Sequence, residues 1–194
     1  MNPFAHIRAA LSDLRQRSIT WLLGQRLRAR HPTLIAHPTV AWDYGFGDID
    51  AIEIGKGVTV GAFAEIVVYK RSPRSTVAGR LILEDGAIVT AGVNIRAAGG
   101  TVRIGANTGV GQHTTIVASN HTAKRDGIHL RTDWDTARTG VDIGANVWIG
   151  ASCVILPGTT IGPHAVIAAG SVVRGEIPAN EVWGGVPARK IRDL

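Results

Sequence analysis

From Ile143 onward an aliphatic residue recurs at every sixth position, through Ile149, Ile155, Ile161 and Ile167 to Val173. A helix of 3.6 residues per turn does not keep that phase, and an alternating strand would show an apolar residue at every second position and not only at every sixth. Four places after each lead residue stands a second repeated position, held by Val147, Cys153, Thr159, Ala165, Ser171 and Ile177, mostly small, and glycine follows the lead residue at Gly144, Gly150 and Gly162. The period describes a triangular coil in which each hexad is one flat face and a turn, so three hexads make a circuit. Ile143 then stacks on Ile161, and because one coil cannot bury its own apolar face, stability comes from its neighbours. The expected fold is all-β, a parallel β-helix.

Earlier blocks keep the pattern with breaks: Ile54, Val60, Ile66; Leu83, Val89, Ile95; Ile104, Val110, Ile116. Interruptions are expected at about Tyr69–Arg80 and Ala97–Arg103, and a larger one from about His121 to Gly140, rich in Lys124, Arg125, Asp126, Arg131, Asp133, Asp135 and Arg138. A long loop in a compact domain is often functional, and this one is read as the wall of an active site. Composition agrees: 45% of residues are hydrophobic but only 5% aromatic, with 24 glycines, which favours small aliphatic side chains and tight turns over an aromatic-centred core.

Residues 1–31 differ in kind. Asn2-Pro3 suits a helix start, Phe4, Ile7, Leu11 and Leu14 keep helical spacing, and Leu22, Leu23 and Leu27 follow after a phase change. Arg8, Arg15, Arg17, Arg26, Arg28 and Arg30 make the polar face basic, and Pro32 ends the pattern. Two compatible readings stand: an amphipathic cap over the open end of the coil, with residues 32–194 as the β-helix domain and its tail, or an interfacial helix on an anionic membrane.

The formal net charge of +6 suits an anionic partner, yet no basic stripe interleaved with aromatics points to nucleic acid. The single cysteine, Cys153, allows no intrachain disulfide and falls at a small inward position, as an inert core thiol. No apolar run approaches the ~18–20 residues of a spanning helix, and the N-terminus lacks the parts of a signal peptide, so a cytoplasmic protein is expected, with the inner face of the membrane as the place for an interfacial helix.

The hexads, Ala118-Ser119-Asn120-His121 and the closing "GGVPARKIRDL" resemble the hexapeptide-repeat acyltransferases, closest to the galactoside, maltose and Nod-factor O-acetyltransferases and the exopolysaccharide and lipopolysaccharide enzymes beside them. The likeness covers about residues 50–194. It implies a left-handed coil, a homotrimer, and transfer of an acetyl group from acetyl-CoA, with a histidine as base and no metal. It also implies the residues. His121, where a regular hexad gives way to the loop, is the base; imidazole titrates near ~6.5 in water and can take a proton from a sugar hydroxyl. Asn94 binds the acceptor or the developing oxyanion, or else only satisfies a turn. The pantetheine arm runs beside Gly150, Ala151, Ala168 and Ala169, with Trp148 packed against it or serving an interface. Arg174, Arg189 and Arg192 meet phosphates, with Gly175 where relatives often carry lysine. His113, His129 and His164 serve packing or surface.

The expected acceptor is a sugar or glycan hydroxyl in polysaccharide or lipopolysaccharide biosynthesis. Amine acceptors, a zinc enzyme of the γ-carbonic anhydrase type and a non-catalytic trimeric scaffold stay as alternatives.

Overall fold

The computed structural model describes residues 3–45, 47–123, 125 and 133–194, without the side chains of 3–10, 13 and 15–17. Phe4, Ile7, Arg8, Arg15, Arg17, His129, Lys124, Asp126 and Arg131 therefore lie outside the described side chains.

The chain winds through three sheets in constant order, A to B to C, before starting the next coil. Sheet A runs from Ile35–Ala36 to the C-terminal hairpin, sheet B from Ala41–Asp43 to Val172–Val173, and sheet C from Ile52–Ile54 to Glu176–Ile177. Every neighbouring pair is parallel except the last, Glu181–Gly185 with Ala188–Asp193. The register is the one the period predicts: Ile143 pairs with Ile161, Ile149 with Ile167 and Ile155 with Val173. These lead residues are buried, as are the small inward ones. Where the inward position is threonine, its hydroxyl reaches the next coil: Thr108 Oγ1 donates to the Gly144 carbonyl at 2.7 Å and accepts from the Val147 N–H at 3.1 Å. The buried hydroxyl is thus satisfied.

Most corners turn on one residue in the left-handed region. The A–B corners use Phe63, Gly92, His113, Ser152 and Gly170, and the C–A corners Gly57, Gly86, Asn107, Asn146, His164 and Asn180. The B–C corners use Gly99, Gly140, Gly158 and Gly175. Gly144, Gly150 and Gly162 serve a different need: a Cβ on Gly150 would stand 2.5 Å from the Ala169 nitrogen, so these glycines let successive coils touch.

All departures from six fall at the B–C corner. The steps Ile54 to Val60 and Val60 to Ile66, and their counterparts higher up, keep the period, whereas Ile66 to Leu83 and Ile116 to Ile143 do not. The expected break at Ala97–Arg103 is only a widened corner: Ala97 and Ala98 belong to the strand Asn94–Ala98, Gly99-Gly100 turns, and the next strand starts at Thr101.

At the N-terminal end, Pro3–Arg30 form one continuous helix, α1, with no interruption at the phase change. Its last turns meet the first coil: Leu27 is fully buried, Gly24 lies against Trp42, and the Tyr44 hydroxyl donates to the Leu23 carbonyl at 3.1 Å. Leu22 instead faces solvent.

Candidate active site

His121 stands at the B–C corner, just past the strand Thr115–Val117. It bridges to Trp134, which returns from the far side of the loop, and the two rings meet edge to face with centroids 6.1 Å apart. The crossing is held by backbone: Thr122 N–H donates to the Asp133 carbonyl and Asp135 N–H to that of Asn120. Trp134 N–H donates to the Arg74 carbonyl at 2.8 Å, so the two excursions support each other. Beneath the indole lies Gly99, where a Cβ would come within 2.4 Å of the ring. Gly99 is thus the bed for Trp134, while Gly100 lets the backbone of Gly140 come close. Sequence reading missed this tryptophan, whose only signal was an aromatic residue inside an otherwise polar loop.

Beside His121 a cleft of about 460 Å³ is lined by Asn120, Asp135, Arg138, Leu156, Pro157 and Arg174, among others. Two guanidiniums on one wall suit a phosphate or carboxylate.

The other predicted residues lie on the A–B corner and the edge of sheet A beside it. Trp148 is 67% exposed on the outer face of sheet A, in a column with Ile88, Gly109 and Val166. Gly150 and Ala151 follow it on the corner, with Ala168 and Ala169 stacked one coil on. Beyond them comes the hairpin, where Gly184 approaches Ala168 and pairs with Arg189. From Trp148 to the hairpin's outer strand is roughly 14 Å at the usual ~4.8 Å strand spacing. Arg189 and Arg192 are exposed, each guanidinium donating to a backbone carbonyl of its own strand. Arg192 pairs with Val182, farther from the corner.

Asn94 opens its strand on the same A–B side, paired with Thr115. Its Nδ2 donates to Glu65 at 3.0 Å, and Glu65 also holds Arg96 at 2.9 Å, while the buried Asn94 Oδ1 has no partner. Since His121 lies six residues beyond Thr115, the structure does not bring Asn94 and His121 together within one chain. Arg174, likewise, is on the B–C side with His121 and apart from the alanines.

His113 stacks its ring over Gly92 at the A–B corner and His121 is at the B–C corner, so the two are apart within one chain; among the described residues of the chain no group of three potential metal ligands occurs. Cys153 is fully buried with Sγ 3.2 Å from the Ala168 carbonyl, and burial raises its pKa. A thiol reagent that needs the thiolate is expected to leave the native protein untouched and react once per chain after denaturant is added; release of colour in buffer alone would contradict that placement.

Residues 140–175 match the family model described as bacterial transferase hexapeptide (six repeats). The galactoside O-acetyltransferase of Escherichia coli (strain K12) is 42% identical over 94 residues, 48% of this chain and 45% of that protein. The protein of the same strain named "Putative lipopolysaccharide biosynthesis O-acetyl transferase WbbJ" is 52% identical over 54 residues, 28% of each chain. Residues 140–175 thus carry the hexapeptide repeat of bacterial transferases, and the chain is similar to the hexapeptide-repeat acyltransferases. Its coil is accordingly the left-handed parallel β-helix. The matches span about half or less of these curated relatives. The fold is shared with the N-acyltransferase AntD of Bacillus cereus, solved as a mutant with dTDP-4-amino-4,6-dideoxyglucose and coenzyme A: TM-score 0.69, 17% identity, 83% of this chain and 80% of that one.

Proposed function

We propose that the protein is an O-acetyltransferase that moves the acetyl group of acetyl-CoA to a sugar hydroxyl of a polysaccharide or lipopolysaccharide precursor, in the cytoplasm, as a homotrimer. The observation that carries this reading is the order of the predicted residues along the coil axis. On the A–B side Asn94 comes first, then Trp148 with Gly150 and Ala151, then Ala168 and Ala169, then Arg189. On the B–C side His121 follows a strand that lies between the coils of Asn94 and Trp148, and Arg174 lies in the coil of Ala168. Two copies packed side by side with parallel axes bring the B–C corner of one to the A–B corner of the other at equal height. His121 then faces a strip with an amide at one end and a guanidinium at the other.

The residues fit the donor. Small side chains at Gly150, Ala151, Ala168 and Ala169 leave room for a thin pantetheine arm, the exposed indole of Trp148 offers it an apolar wall, and Arg189, Arg192 and the neighbour's Arg174 suit phosphates. His121 takes the proton of the acceptor hydroxyl as its oxygen forms a bond to the acetyl carbonyl carbon. The carbon–sulfur bond breaks, and the histidine returns the proton to the CoA sulfur. In this reading Asn94 donates to the carbonyl oxygen across the joint, through the amide hydrogen that Glu65 does not take.

The test is release of CoA thiol from acetyl-CoA with glycan, sugar-nucleotide and amine acceptors in parallel. Turnover with hydroxyl acceptors is expected; turnover confined to amines would replace the reading with N-acyl transfer. Trp134 acts as a positioning residue. Trp134→Ala is expected to lower kcat about tenfold with the KM for acetyl-CoA unchanged, and Trp134→Phe to restore most of it. Equal kcat in all three would remove that role.

A further inference from the structure

Helix α1 spans about 42 Å at the usual ~1.5 Å per residue, and among its described side chains the buried ones are Gly24 and Leu27, in the last turns. Thr20, Leu23, Gly24 and Leu27 share the face turned to the first coil. On a helical wheel Leu11, Leu14 and Leu22 fall on the opposite face with Trp21 beside them, and these are 61%, 61%, 54% and 64% exposed. Water is a poor environment for such a ridge.

A second observation lies next to it. Phe63 holds a left-handed conformation, with φ 58°, at a corner where the other coils place Gly92, His113, Ser152 or Gly170. A bulky aromatic residue is costly there. Its ring is 74% exposed and borders, with Trp21 and Pro38, an open groove of about 520 Å³. The chain thus presents an aromatic side chain outward, at a strained position, across a groove from Trp21 at the edge of the leucine ridge.

Charge selects the occupant. Pro3–Arg30 contain six arginines and one aspartate; Arg26, which is exposed, and Arg28, whose guanidinium donates to the Ala36 carbonyl at 2.7 Å, stand on the two sides of the apolar ridge. A helix with six arginines against one aspartate repels a second copy of itself, whereas an apolar stripe edged by arginine matches an anionic bilayer surface, with acyl chains below and headgroups at the rim. We infer that the outer face of α1, together with Phe63, seats the protein on an anionic membrane. The helix lies in the interface plane and does not span: no described helix is long and apolar enough to cross.

The test is co-sedimentation of the full chain with vesicles of phosphatidylcholine alone and of phosphatidylcholine mixed with phosphatidylglycerol. Binding to the mixed vesicles is expected, weakened about tenfold or more by Leu14→Glu with Leu22→Glu, and weakened by added salt. Thermal unfolding of the coil should not move, because neither leucine packs on it. Arg26→Glu, which leaves the leucines in place, should also weaken binding to the mixed vesicles. No binding to them, or binding unchanged by these substitutions, overturns the inference. So does a fall in oligomeric mass by light scattering in the leucine variant, which would assign the ridge to contacts between copies.

Discussion

A His121→Ala protein is expected to lose about 10²–10⁴-fold in kcat/KM for acetyl transfer while its unfolding temperature stays close to that of the parent. The size follows from what the imidazole does. Without a positioned base the acceptor hydroxyl must shed its proton to water as it attacks. What survives is the rate from holding donor and acceptor side by side. The fold should tolerate the change, because His121 sits past the last residue of its strand and contributes an edge contact with Trp134, not a rung of the core. Far-UV circular dichroism and a melt on the same sample separate lost chemistry from lost structure. Full activity in a folded His121→Ala protein would sink the mechanism.

The second large effect concerns the coil. Gly105→Ala is expected to destabilise the protein by about 1–3 kcal/mol, and Gly109→Ala to change stability by less than about 0.5–1 kcal/mol, with a gain allowed. The two glycines belong to the same coil. At Gly105 a Cβ would lie 2.4 Å from the Gly144 carbonyl carbon and 2.7 Å from the Ala145 nitrogen, backbone atoms that cannot swing aside. At Gly109 the same atom would meet nothing within 4 Å. Urea unfolding of the pair reads the difference directly. Equal midpoints would mean that coil-to-coil contact at the corner is looser than the geometry requires.

The coil was legible in the sequence because every coil offers its inward residues the same surroundings, so Ile143 through Val173 repeat in one phase. His121 was legible through its place at the end of that regularity. Its support was not: Trp134 lies in an aperiodic segment, and only the folded chain sets it over Gly99 and against Arg74. Nor could the period separate the corners. The family likeness put Trp148 and Ala169 on one groove, but only the pairings, across coils of unequal length, set Asn94 on their side and His121 and Arg174 on another. The apolar ridge of α1 was half visible. Leu22 was grouped with Leu23 and Leu27 by spacing, but adjacent residues on a helix point about 100° apart, and packing took Leu23 and Leu27 inward while leaving Leu22 out.

The central claim is that one chain carries two halves of a site and that two copies complete it. Mixing tests this most directly. His121→Ala removes the base half, and Ala169→Trp fills the strip on the other corner, so each protein alone should be inactive. After the two are unfolded and refolded together, sites that take His121 from one parent and the open strip from the other reappear, about a quarter of the total at equal mixing in a cyclic assembly. Recovery of activity near that level is the predicted result. Mixed oligomers that form but stay inactive would contradict the account.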